Sequence, residues 1–167
     1  FFTRNVGEEA QRSMVEALAV QSNIDSDAHR AREIMDWAQI AELSRDPLCT
    51  IGAHTVHHYA IARLDEKQAM FEMQESARII EMETGTAPRH FAFPYGYASA
   101  AGARDFELAR EAGFASAVTT RHGVLVADHR DHLHALPRIS LNGHFQAARY
   151  VDALLSGVPA RIENRGR

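Results

Sequence analysis

The sequence has 167 residues, of which 46% are hydrophobic, enough for one domain with a sizeable core. Its net charge is -4 with 24% charged residues, which argues against a basic face and against nucleic acid as a partner. The single cysteine, Cys49, excludes an intrachain disulfide framework, and no apolar run approaches the roughly 18 residues of a membrane span.

The chain opens "FFTRNVGEEA", with no initiator Met, basic n-region or long apolar stretch. That opening predicts a chain beginning inside a longer protein. The compartment stays open, the cytoplasm slightly favoured. Residues 8–22 predict an amphipathic helix carrying Met14, Val15, Leu18 and Ala19. "SNIDSDAHRAREI" is polar, a loop or a poorly packed helix. Asp36 followed by Gln39 forms a capping-box start, with Trp37, Ile40 and Leu43 on one helical face. "DPLCTIGAH" predicts a turn and a buried strand over 49–54.

The strongest helix covers 65–84. Asp65 caps it, Met70, Met73, Ala77 and Ile80 recur at helical spacing, and Gly85 and Pro88 end it. The Met stripe fits core packing rather than a cofactor box. "HFAFP" predicts a strand over 90–94, stopped by Pro94 and Gly96. A helix over 104–112 stops at Gly113, a strand follows over 115–120, and another over 133–141 is weakened by Pro137. A last helix runs over 145–155, before a polar tail expected to fray. Alternating strands and helices predict an α/β fold with parallel strands joined by right-handed crossovers and covered on both faces. Sites in such folds lie at the C-terminal ends of strands, where His54 and Pro94-Tyr95-Gly96 fall.

His54 and His58 are four residues apart; a helical turn would stack both imidazoles on one side, a pair that suits zinc or a similar divalent metal. Two solvated loop histidines are the alternative on spacing alone. A zinc-protease helix needs Glu after the first His, and Thr55 stands there instead. His57 is expected to point away from the pair as a surface residue.

"HTVHH" and "RHFAFPYG" together resemble the H-[ST]-x-x-H and R-x-F-R-x-P-[YW]-G motifs of the polysaccharide deacetylases with a NodB-homology domain, which include chitooligosaccharide deacetylases. "GFASAVTT" and "LPRISLNG" resemble later strands of the family, and the likeness runs from about Met35 to Pro159. It implies a partial, distorted (β/α)7-type barrel. Residues 1–34 would be a helical lead-in left from the upstream part of the domain, 35–159 the C-terminal portion, and 160–167 the tail. It also implies a divalent metal, usually zinc, and hydrolysis of the N-acetyl amide of an amino sugar in an oligo- or polysaccharide. His54 and His58 match the two metal-binding histidines. In the family the metal polarises the acetyl carbonyl and binds the attacking water. An aspartate takes the water's proton. The backbone N–H that maps to Tyr95 helps stabilise the oxyanion. Pro94 and Gly96 would shape that turn and border the substrate, with Arg138 a candidate to face the same rim and Arg89 to support the site from behind.

The pattern is broken in three places. The family's first motif carries two adjacent aspartates, the base and the third metal ligand, and no adjacent Asp pair exists here. The expectation is that this chain is the C-terminal part of a longer protein, binding metal weakly and turning over little alone. Ala92 stands where the family has an arginine that helps set the base. The late Leu-x-His is missing, and His144 fits a surface position better. A non-catalytic carbohydrate-binding or structural α/β module is the competing class.

Overall fold

The computed structural model describes residues 7–141, 143 and 146–163. Three helices come first: α1 (Glu8–Gln21) and α2 (Ser26–Glu33) within residues 1–34, and α3 (Trp37–Leu43) beyond them. None of them contains a buried residue. The polar stretch of α2 therefore folds as the poorly packed helix, with Asp25 accepting from the N–H groups of Asp27 and Ala28. At α3 the capping box forms: Asp36 accepts from the Gln39 N–H and the Gln39 side chain accepts from the Asp36 N–H.

Helix α4 (Glu66–Thr84) is the long central helix. The Asp65 carboxylate accepts from the Gln68 N–H, and Gly85 closes the helix at φ 75°, a left-handed conformation that glycine adopts without a Cβ penalty. Its buried stripe is Ala69, Glu72, Met73, Ser76 and Ile80, so the methionines do pack a core, with Met73 fully buried. One member of that stripe is a carboxylate.

Three parallel strands follow in the order β1 (His90–Ala92), β2 (Ser116–His122) and β3 (Leu136–Arg138). Helix α5 (Ala103–Glu111) connects the first two and packs on β2 and α4. The expected strand over 49–54 shrinks to one parallel bridge between Ala53 and Phe91. Ala53 alone joins it to β1, its N–H donating to the His90 carbonyl and its carbonyl accepting from the Ala92 N–H. The expected strand over 133–141 shortens to three residues. Pro137 has no N–H to offer the ladder, and the register shifts beside it between Val118 and His122.

The core lies between the sheet and helices α4 and α5. Phe91 and Phe93 meet edge to face with ring centroids 5.0 Å apart, Phe91 lies 5.1 Å from Phe114, and Phe93 lies 5.5 Å from Phe106. Ile61, Met73, Leu108 and Ala117 close around them. At the C-terminal end, α6 (Ala148–Leu155) is shorter than the expected last helix over 145–155: residues 146 and 147 are described and not helical, and residue 145 lies outside the described residues. The described part of the tail departs from expectation, residues 164–167 lying outside it: α7 (Val158–Glu163) is a helix, tied down by buried Ala160 and by the Glu163 carboxylate against His122. Proline near a helix start loses no hydrogen bond, so Pro159 is no obstacle.

Candidate metal and acyl site

Two chain segments meet at the C-terminal rim of the sheet. The first is the histidine loop after the Ala53 bridge. The second is the Pro94-Tyr95-Gly96 corner that ends β1. The His54 and His58 rings are 4.9 Å apart, edge to face, and the His58 ring lies 5.0 Å from that of Tyr95. The Tyr97 ring continues the row, 6.1 Å beyond.

The loop does not continue as a helix. Thr55 and His58 both have left-handed backbones, φ 63° and 59°, which fold the chain tightly enough to bring residue 58 back beside residue 54. Non-glycine residues pay about 1–3 kcal/mol for such conformations, and they persist only where surrounding contacts enforce them. Those contacts are present. The Thr55 hydroxyl accepts from the His58 N–H at 2.9 Å. The Glu72 carboxylate, on the buried stripe of α4, accepts from the N–H groups of Val56 and His57 at 2.9 and 3.0 Å and from the His57 ring. His57 is turned away from the pair, yet it is paired to this buried acid rather than merely solvated.

His54 is oriented by the sheet. Its Nδ1 donates to the Ala92 carbonyl at 2.6 Å. A carbonyl only accepts, so Nδ1 carries the proton and Nε2 keeps its lone pair. That is the tautomer of a metal-ligating histidine whose other nitrogen is fixed by an acceptor. Part of the ring is exposed, but the surrounding protein still strips water from it, and this desolvation is the main cause of a pKa below the ordinary histidine value. The Ala92 bond opposes the shift, while the charges of His58 and Arg138 add to it.

The corner is held by packing. Phe93 and Pro94 are fully buried. The Phe93 N–H donates to the Val118 carbonyl, the Thr120 N–H donates to the Gly96 carbonyl at 3.1 Å, and the Thr120 hydroxyl donates to the Tyr95 carbonyl. Gly96 sits at φ 63°, and a Cβ there would lie 2.5 Å from the Thr120 nitrogen, so only glycine fits. Tyr95 itself is left-handed at φ 62°. Its N–H meets no acceptor among the described residues, which leaves a fixed donor at the rim.

Of the residues singled out from sequence, His54, His58, Pro94, Tyr95 and Gly96 come together. Arg138 joins them through its charge on His54, with Nε donating to the Thr119 carbonyl at 2.7 Å. Arg89 does not. It precedes β1 at the opposite end of the strand, five extended residues, or about 16 Å, from Pro94. His144 lies outside the described residues. Glu72 was missed; the signal was a carboxylate at the same helical spacing as Ala69, Met73 and Ser76.

Two imidazoles 4.9 Å apart, that of His54 with Nε2 left unprotonated, suit a divalent ion as a ligand pair, and no third His, Cys, Asp or Glu completes a cluster among the described residues. Two cavities lie elsewhere. One of about 700 Å³ opens beside Tyr97 and Thr120, and one of about 930 Å³ lies between α1 and α4 beside His57 and Tyr59.

The polysaccharide deacetylase family model matches residues 5–116. Among solved structures, the chain is similar to the Streptococcus pyogenes deacetylase PplD in complex with acetate (TM-score 0.64, 18% identity, 72% of this chain and 50% of that one). It is similar to a polysaccharide deacetylase from Bacillus cereus (0.62, 16%, covering 72% and 36%) and to IcaB from Ammonifex degensii (0.56, 22%, covering 71% and 51%). These likenesses establish the shared fold, the partial (β/α) barrel expected from sequence. The chain spans about a third to a half of the length of those structures. A search of curated protein sequences finds no match.

Proposed function

The chain belongs to the polysaccharide deacetylase family, and from that premise we propose that it forms part of a metal-dependent site hydrolysing the N-acetyl amide of an amino sugar in an oligo- or polysaccharide. The observation that carries this is the His54–His58 pair set beside the Tyr95 corner, with one imidazole held in the ligand tautomer by Ala92.

His54 and His58 would hold the divalent ion, with zinc the expected metal. Bound there, the ion supplies Lewis-acid polarisation of the acetyl carbonyl and a lowered pKa for the attacking water. The Tyr95 N–H donates to the carbonyl oxygen as that oxygen gains negative charge, and the rigid corner spends no energy reorganising when it does so. Arg138, cationic beside His54, attracts the same developing charge. Water adds across the C–N bond, and acetate and a free amine leave. The remaining metal ligand and the general base are carboxylates that we assign to a segment outside these 167 residues. The chain alone is therefore expected to release no acetate.

The absence of a third ligand among the described residues also favours a second reading, a carbohydrate-binding module with no chemistry. Metal uptake separates the two. Zinc bound per chain, measured after equilibrium dialysis, should be detectable in the wild type and lost in His54→Ala. Equal uptake by both overturns the hydrolase reading.

A further inference from the structure

We propose that Glu72 is a positioning residue of the site: its buried carboxylate sets the turn that brings His58 beside His54. Its side chain is 5% exposed. A carboxylate is costly to remove from water unless its oxygens are fully engaged, and here they are. One oxygen takes the Val56 and His57 N–H groups, and the other takes His57 Nδ1. The two amides are consecutive, both pointing at one oxygen, a concave arrangement of N–H groups that favours a negative partner.

Both amides lie between the two left-handed residues, Thr55 and His58, whose backbones fold the loop. Without the carboxylate, the other polar contacts reaching into the loop among the described residues are local or peripheral: the Thr55 hydroxyl to the His58 N–H, and Arg12 of α1 donating to the His57 carbonyl at 2.8 Å. Neither engages the Val56 and His57 N–H groups. Relaxing the turn to ordinary backbone angles would carry His58 away from His54, while the Ala92 bond keeps His54 where it is. Glu72 thus acts on the pair through residue 58 and touches neither ring. The inference rests on the pair being a metal site only for its functional meaning; the geometric claim stands by itself.

The test compares Glu72→Met with Glu72→Gln. Glutamine keeps an oxygen for the two amides and can donate to the other His57 tautomer, so it should rescue the turn; methionine fills the volume and cannot accept. The first readout is the NMR cross-peak between the His54 and His58 ring protons in the metal-free chain, with exchange rates of the Val56 and His57 amides. The cross-peak should vanish and both amides should exchange faster in Glu72→Met, with wild-type behaviour in Glu72→Gln. A cross-peak that persists in folded Glu72→Met overturns the proposal. The second readout is cobalt affinity, expected to fall about tenfold or more in Glu72→Met, the range seen when an outer-shell partner of a metal site is lost. Unchanged cobalt affinity in that variant also overturns it. A wild-type chain that takes up no cobalt sinks the metal reading alone, and the ring cross-peak then decides the role of Glu72. If Glu72→Met does not fold by circular dichroism, Glu72→Asp, whose carboxylate is one methylene short, replaces it in the same comparison.

Discussion

The two walls of the site are built on opposite principles. The Pro94-Tyr95-Gly96 corner is an extension of the core: Phe93 and Pro94 are buried, and Thr120 of β2 bonds both neighbouring carbonyls. The histidine loop contributes no buried side chain between His54 and Tyr59 and is held by polar bonds to Glu72, Thr55 and Arg12. The difference separates two kinds of sensitivity. Damage to the corner should unfold the domain, whereas damage to the loop should disable the site and leave the domain standing.

The harshest way to probe that contrast is Phe93→Ala. Removing a fully buried phenylalanine costs about 3–5 kcal/mol. The thermal midpoint should fall by roughly 10 °C for a chain of this size. Gly96→Ala comes next. A Cβ 2.5 Å from the Thr120 nitrogen at φ 63° combines overpacking with backbone strain, about 3 kcal/mol together, read by urea unfolding. On the loop side, His54→Ala should change stability by less than about 1 kcal/mol, as substitutions of exposed residues do, while abolishing zinc uptake. A large stability loss there would erase the contrast.

The smallest effect is on pH dependence. Desolvation lowers the His54 pKa in the folded chain, so between the ordinary value, about 6.5, and the folded value the unfolded chain binds more protons. Stability from this group is fully present above that window and is lost as pH falls through the folded pKa. An NMR titration of the metal-free chain should place the His54 midpoint below that of a histidine in a short peptide. A midpoint at or above the peptide value would contradict the crowded environment.

Much of this arrangement could be read from local chemistry. Asp65 and Gly85 bracket α4 because caps act over three or four residues, and the Asp36–Gln39 box is equally local. The H-x3-H and Pro-Tyr-Gly segments announced themselves, and parallel strand order placed them at one rim. What escaped depended on distance along the chain. Glu72 looked like one more polar residue of an amphipathic helix, because its partners sit 15 and 16 positions away. The strand over 49–54 read correctly as apolar, but a strand needs a neighbour, and its ladder ends after one residue. Arg89 fitted a motif by order, yet five residues of extended chain separate it from Pro94 and place it at the far end of β1. The spacing argument expected a helical turn, whereas two left-handed residues bring the two imidazoles together.

The bond from His54 to the main-chain oxygen of residue 92 bears on mutational drift. Side chains at that position can change over evolutionary time without rotating the imidazole, because a carbonyl is supplied by every amino acid. The side chain at residue 92 takes no part in that bond, so exchanging it leaves the aim of the His54 ring untouched.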